Sequence, residues 1–242
     1  MLKAMARSLP PDLKVLAFDV FGTVVDWRRG VMAELSAIAR DRKLAIDSAA
    51  VADDWRRRYR PSMDRVRQGE VPWAVMDDLH RASFQEVVDK FSLEALTEAD
   101  VDRLVLAWHR LPPWPDAVSG LTRLRARYIL ATLSNGGMAL LVDLARAARL
   151  PFDCILSTEL AKTYKPDPRV YQLVPSLLQI RPEQAMMVAA HPDDLLAAAG
   201  QGMRTAFVRR PQEWGTGKAE EMDFAVDIVA DDFIQLASQL GA

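Results

Sequence analysis

Residues 15 to 23 read Val15-Leu16-Ala17-Phe18-Asp19-Val20-Phe21-Gly22-Thr23. The first four are apolar and too few for a helix, so they read as a buried strand. The run stops on a carboxylate, and a glycine three residues later permits a tight turn. Further short apolar runs at Tyr128 to Leu133, Cys154 to Leu156, Met186 to Ala190 and Thr205 to Val208 read the same way. Between the later runs lie stretches of helical period, Met138 to Arg149, Pro168 to Leu178 and Leu195 to Gln201. Strand alternating with helix predicts an α/β fold built on a doubly wound, Rossmann-like parallel sheet.

Residues 28–111 break that rhythm. Val31 to Arg42, Ala49 to Arg60, Trp73 to Phe91 and Glu98 to Trp108 carry helical periods, and no convincing strand lies among them. They predict a helical cap inserted after the first strand, with 1–27 and 112–242 as the core. The cluster Leu111-Pro112-Pro113-Trp114-Pro115 stops helix formation and marks the return. Such an insert sits above the carboxyl ends of the strands, where open α/β sheets bind ligands. The active site is therefore expected between core and cap.

Composition narrows the function classes. Half of the 242 residues are hydrophobic, enough for a large core. The 31 Lys and Arg nearly balance the 33 Asp and Glu, so no global field draws the chain to nucleic acid or to an anionic membrane. The lone cysteine, Cys154, has no disulfide partner and reads as a small buried residue in a reducing, cytoplasmic compartment. Residues 1–11 lack the apolar stretch of a signal peptide, and no run approaches the length of a membrane span.

Four segments carry the chemistry. Asp19 to Thr23 ends the first strand; Leu133-Ser134-Asn135-Gly136-Gly137 ends another, where a hydroxyl, an amide and backbone N–H groups converge on an anion. Lys165-Pro166-Asp167-Pro168-Arg169-Val170-Tyr171 offers an ammonium, and Met186 to Asp194 is a buried strand opening into His191-Pro192-Asp193-Asp194. In isolation each has a plainer reading: a helix cap for Asp19, a turn for Ser134 to Gly136, a solvated surface for Lys165. Together they resemble the haloacid dehalogenase superfamily over nearly the whole chain, and most closely its 2-haloacid dehalogenase (type II) branch.

The resemblance implies a role for each matching position. Asp19, leading Asp-x-x-x-Thr with Thr23, would be the covalent nucleophile. Ser134 and Asn135 would face substrate and nucleophile, and Lys165 would ion-pair with Asp19, supported by Tyr171. Asp194, rather than Asp193, would orient the hydrolytic water with Lys165. In the insert, Trp55-Arg56 matches the pair that sends an arginine into the site, although Arg57, Arg58 and Arg60 are neighbours and a basic run is usually a solvated face. Phe21 stands where phosphatases of the superfamily carry a second Asp as general acid; halide needs no proton to leave, so an apolar ring there suits carbon–halogen displacement. The branch's usual Ser-Ser-Asn-x-x-Asp is here Ala189-Ala190-His191 leading to Asp194. This departure puts substrate choice in question and offers His191 as a donor to halide, fluoride included, or to carboxylate.

The implied activity is hydrolysis of small 2-haloalkanoic acids to 2-hydroxy acids through an aspartyl ester, without metal or other cofactor. A homodimer is expected by family resemblance alone. The competing readings are the same ester chemistry on a phosphate ester or a strained-ring acid, and a non-catalytic ligand-binding protein on this fold.

Overall fold

The computed structural model describes residues 12–242; residues 1–11 and the signal-peptide reading made on them lie outside the described residues. Strand β1 (Val15–Phe18) has all four residues buried, as expected of a strand covered on both faces. Its alternate residues divide between two cores. Leu16 and Phe18 pack with Leu121, Leu144 and Phe233, whereas Val15 and Ala17 pack with Val170, Val174 and Leu195. The helices supplying the first set are α5 (Ala117–Arg125), α6 (Met138–Ala147) and α10 (Phe233–Gln239); those supplying the second are α7 (Pro168–Tyr171), α8 (Leu173–Leu178) and α9 (Pro192–Gly200). A sheet with helices on both faces is the doubly wound arrangement that the strand–helix alternation predicts.

The other strands are β2 (Ile129–Thr132), β3 (Ala185–Ala189), β4 (Arg204–Val208) and β5 (Ile228–Ala230), all parallel, in the order β2-β1-β3-β4-β5. From β1 the chain goes first to one neighbour, β2, and later to the other, β3. That reversal opens a crevice at the carboxyl ends of these strands, the general ligand position of such sheets.

Between β1 and α5 the chain forms α1 (Trp27–Arg42), α2 (Ser48–Arg67), α3 (Met76–Phe91) and α4 (Glu98–Ala107), with a 3₁₀ turn at Trp108–Arg110 and no strand. Each packs on the next, and α4 returns against α1. Asp26 caps α1 through Arg29 N at 2.9 Å, and Thr97 and Asp100 form a capping box on α4. The two connections run side by side: Asp26 N donates to Pro112 O at 2.9 Å and Trp114 N to Val24 O at 3.0 Å.

Some expectations needed correction. Cys154 to Leu156 is not a strand; it makes one isolated bridge to β2, Ala131 opposite Cys154, because the Leu156 N–H turns to the Thr132 hydroxyl instead of continuing the backbone ladder. The helix read as continuous from Pro168 to Leu178 breaks at Gln172, since Pro175 cannot donate to the carbonyl of Tyr171. Helix α2 runs on past Arg60 through Pro61 to Arg67, held by burial of Met63 and Val66. Among the described residues no helix is long and apolar enough to cross a membrane.

Leu16 sits on an interior strand with no exposure, whereas Leu177 is 53% exposed. Leu16→Ala is expected to lower unfolding free energy by about 2–5 kcal/mol, and Leu177→Ala by no more than about 0.5 kcal/mol; urea unfolding of the two variants checks the assignment of the core.

Candidate active site

Asp19 is the first residue past β1, its N–H bonded to Val188 O of β3 at 3.0 Å, so the sheet fixes the carboxylate at the crevice. Thr23 Oγ1 donates to Asp19 Oδ2 at 2.9 Å and accepts the Ala190 N–H at 2.9 Å, tying the turn after β1 to the end of β3. Gly22 lies in this turn with φ of +85°, which a side chain rarely adopts. Lys165 Nζ lies 3.3 Å from Asp19 Oδ1 and 2.6 Å from Asp194 Oδ2, and Tyr171 Oη donates to Asp194 Oδ1 at 2.7 Å. Asn135 Oδ1 accepts the Lys165 backbone N–H at 2.9 Å. Asp19, Lys165 and Asp194 are all buried.

Burial opposes charge on Asp19, but the Lys165 ammonium and the His191 ring outweigh it and hold the carboxyl well below the usual carboxylate range. Burial raises the Asp194 carboxyl, only partly offset by Lys165. Two carboxylates therefore share one ammonium, and of the two Asp19 is held the more firmly in its ionised form.

The structure separates the neighbouring arginines of α2. Arg58 pairs with Asp54 and Glu86, Arg60 pairs with Asp193 at 2.8 Å, and Arg57 is exposed. Arg56 lines the cavity, its guanidinium 4.1 Å from the Tyr59 ring centre, and its Nη1 is buried with no hydrogen-bond partner among the described residues. A buried, unsatisfied donor beside a cavity is prepared for an anion. Asp193 is exposed on Arg60, which leaves Asp194 as the acidic residue at the nucleophile.

The cavity, about 810 Å³, is lined by Asp19, Phe21, Arg56, Asn135, Lys165, Tyr171, His191 and Asp194 among others. Eight of the ten residues singled out in the sequence are thus brought to one cavity. Thr23 and Ser134 are fully buried behind it. Ser134 accepts the Gly136 N–H at 3.5 Å, and the Met138 N–H at the start of α6 is taken by Glu159, so part of the expected anion cradle is already occupied. Phe21 meets Trp108 edge-on at 5.8 Å and forms an apolar wall.

One group escaped the sequence reading. Glu213, in the loop after β4, is buried and places both carboxylate oxygens 3.1 Å from His191 Nε2, while His191 Nδ1 lies 3.1 Å from Asp19 Oδ2. No motif marks Glu213; only its position in a loop leaving the same edge of the sheet was available as a signal.

The donor set does not fit a Mg²⁺ shared by Asp19 and Asp194. The ammonium lies between them, and each oxygen of Asp194 already accepts a donor. Among the described residues the ligating atoms of His191, Glu213 and Glu220 come within 4.8 Å of one another, but both ring nitrogens of His191 already face carboxylates.

A strand-end carboxylate, its lysine and a second acidic group, carried on a 2-1-3-4-5 sheet, define a hydrolase class. A family model described as haloacid dehalogenase-like hydrolase matches residues 13–202, and the chain belongs to that family. (S)-2-Haloacid dehalogenase 1 of Pseudomonas sp. (strain CBS-3) is 32% identical over 215 residues, 84% of this chain and 88% of that protein. Crystal structures of an L-2-haloacid dehalogenase and of a defluorinating L-2-haloacid dehalogenase superpose with TM-scores of 0.90 and 0.92, at 43% and 39% identity. The first match covers 95% of this chain and 99% of the other, the second 97% and 99%. An L-2-haloacid dehalogenase from Xanthobacter autotrophicus, with chloropropionic acid covalently bound, matches at 25% identity and a TM-score of 0.80, over 95% of this chain and 99% of that one.

Burial alone would drive the His191 ring neutral, but Glu213 and Asp19 hold its pKa well above the ordinary 6.5. A raised native pKa means the folded chain binds the proton more tightly. Its stabilisation is complete below the unfolded value and is lost as pH climbs through the native one. In a proton NMR titration the His191 ring is expected to keep its charged-state shifts through pH 6.5. A midpoint at or below that value would contradict the paired geometry.

Proposed function

We propose that this chain hydrolyses small 2-haloalkanoic acids to 2-hydroxy acids, preferring the (S) enantiomer as the names of its relatives indicate. The observation that carries the reading is an ionised, buried Asp19 held by Lys165 beside an apolar Phe21, with an unsatisfied Arg56 facing the same cavity.

Before substrate arrives Lys165 and His191 are already engaged by Asp19, Asp194 and Glu213. A substrate carboxylate adds one negative charge next to a negative nucleophile. Arg56 is the group free to receive it, by a charge-assisted contact worth on the order of 1.5–3 kcal/mol. Asp19 then attacks C2 from the side opposite the halogen, the C–X bond breaks, and halide departs along the Arg56 side. Both N–H groups of His191 are engaged by carboxylates, which favours Arg56 over His191 as the halide contact. Phe21 excludes water and supplies no proton, in keeping with a leaving group that needs none.

In the second step water placed by Asp194, itself fixed by Lys165 and Tyr171, attacks Cγ of the ester and leaves untouched the configuration at a chiral C2, which the first step inverted. The ammonium between Asp19 and Asp194 supplies the positive charge at the reaction centre, so the proposal includes turnover without metal. The cap is residues 28–111, and the core, among the described residues, is 12–27 with 112–242. Half-buried Cys154, whose thiol burial pushes up, suits a reducing, cytoplasmic compartment. Fluoroacetate belongs on the substrate list because a defluorinating enzyme is among the similar structures.

With EDTA present, chloroacetate, fluoroacetate and (S)-2-chloropropionate are expected to yield free halide, and Asp19→Asn to abolish it. Release from no compound would exclude haloacids and turn attention to phosphate esters with Mg²⁺ and to strained-ring acids.

A further inference from the structure

The two oxygens of Asp19 are not equivalent. Oδ2 faces two donors, Thr23 Oγ1 at 2.9 Å and His191 Nδ1 at 3.1 Å, whereas among the described residues Oδ1 has only the long 3.3 Å contact from Lys165 Nζ. A carboxylate oxygen offers about two lone-pair sites, so Oδ2 is saturated and Oδ1 keeps one free. Resting on the ester chemistry proposed above, Oδ1 is the oxygen that attacks C2, and Oδ2 stays behind as the ester carbonyl. Water adding to Cγ then places negative charge on Oδ2, where Thr23 and His191 are already aimed.

The geometry points to Glu213 as a positioning residue that keeps His191 a charged donor to Oδ2, so that Thr23 and His191 together stabilise the oxyanion formed when the aspartyl ester is hydrolysed. An imidazole facing an acceptor at each nitrogen satisfies both only when both carry protons. With an uncharged acceptor at Nε2, a neutral ring can spend its single proton there and present a lone pair to the oxyanion. Esterification removes the charge of Asp19 but leaves that of Glu213, so the ring retains an anionic partner through the second step.

The placement of Glu213 is built in. The residue is 3% exposed, and Trp27 Nε1 donates to its Oε1 at 3.0 Å. A side chain on Gly22 would put its Cβ 2.1 Å from the same oxygen, so the glycine of the first turn is also what admits Glu213. Arg210 anchors the loop: its Nε donates to Thr23 O at 2.8 Å, its fork grips Asp116 at 2.8 and 2.9 Å, and its carbonyl accepts the Glu213 N–H at 3.1 Å. One arginine thus ties the carrier of Glu213 to the backbone of Thr23, the other donor.

The atoms balance without any further reactant. Water oxygen bonds to Cγ while one of its protons passes to Asp194, and charge moves onto Oδ2. Collapse breaks Cγ–Oδ1. Oδ1 leaves as the hydroxyl oxygen of the product, taking the proton from Asp194, and the new carboxyl of Asp19 loses its proton to solvent.

Rapid mixing of chloroacetate with wild type, Glu213→Gln and His191→Gln, followed by halide measurement and intact-protein mass spectrometry, tests the assignment. Both variants are expected to release a first stoichiometric burst of chloride and then slow by roughly 100-fold or more, the usual loss on removing one oxyanion donor. They are also expected to accumulate protein carrying one carboxymethyl group on Asp19. Glu213→Asp, which keeps the charge but withdraws it, is expected to accumulate less ester, and it tests the same point should Glu213→Gln fail to fold. A wild-type burst with no ester in folded variants, their burst slowed as much as their turnover, overturns the role of Glu213 alone. No halide from wild type overturns the dehalogenase reading and this assignment with it.

Discussion

The ammonium of Lys165 lies within hydrogen-bond reach of two buried carboxylates that arrive from different strands, Asp19 from β1 and Asp194 just beyond β3. Without it they would face each other as like charges out of water, and removing the cation from such a group costs on the order of 3–5 kcal/mol. The sheet is what makes the arrangement possible. β1 and β3 pair in register, Phe18 opposite Val188, so their next residues emerge on one line. Asn135, leaving β2 on the other side of β1, fixes the backbone of the lysine itself. Three adjacent strands thus define one point in space, and the reversal of chain direction at β1 leaves it open to a ligand.

That constraint sorts the chemistry. A lysine shared with Asp194 keeps Asp19 ionised despite burial, and a nucleophile must be ionised. The same lysine occupies the position a bridging cation would need. Phe21 removes the acid that a phosphoryl leaving group requires. Each feature has another explanation taken singly; in one cavity with Arg56 unsatisfied, they converge on displacement of a leaving group that departs as a stable anion from a substrate that is itself an anion.

Much of this was legible in the sequence because it resides in short segments where strand ends fix chemistry locally. The run from Val15 to Thr23 contains a strand, a nucleophile, a turn glycine and the threonine that holds Oδ2, and the resemblance supplied Lys165, Asp194 and the choice of Arg56. What was not legible depends on contacts between distant segments. Glu213 belongs to an irregular loop 22 residues from His191 and acquires meaning only when Gly22 and Arg210 bring it there. Strand β5 has three residues, too few to show a period, and the Thr132 hydroxyl takes the Leu156 N–H that would continue a ladder, so Cys154 to Leu156 looked like a strand that the fold does not form.

The central claim is that Asp19 itself carries the substrate, and a single turnover in heavy-oxygen water with enzyme in excess tests it most directly. If the ester forms and water attacks Cγ, the 2-hydroxy acid takes its new oxygen from Asp19 and is unlabelled, while the heavy isotope appears in the peptide containing Asp19. Label found in the product, with none in that peptide, would mean that water attacks C2 directly, and the account of the nucleophile would fall.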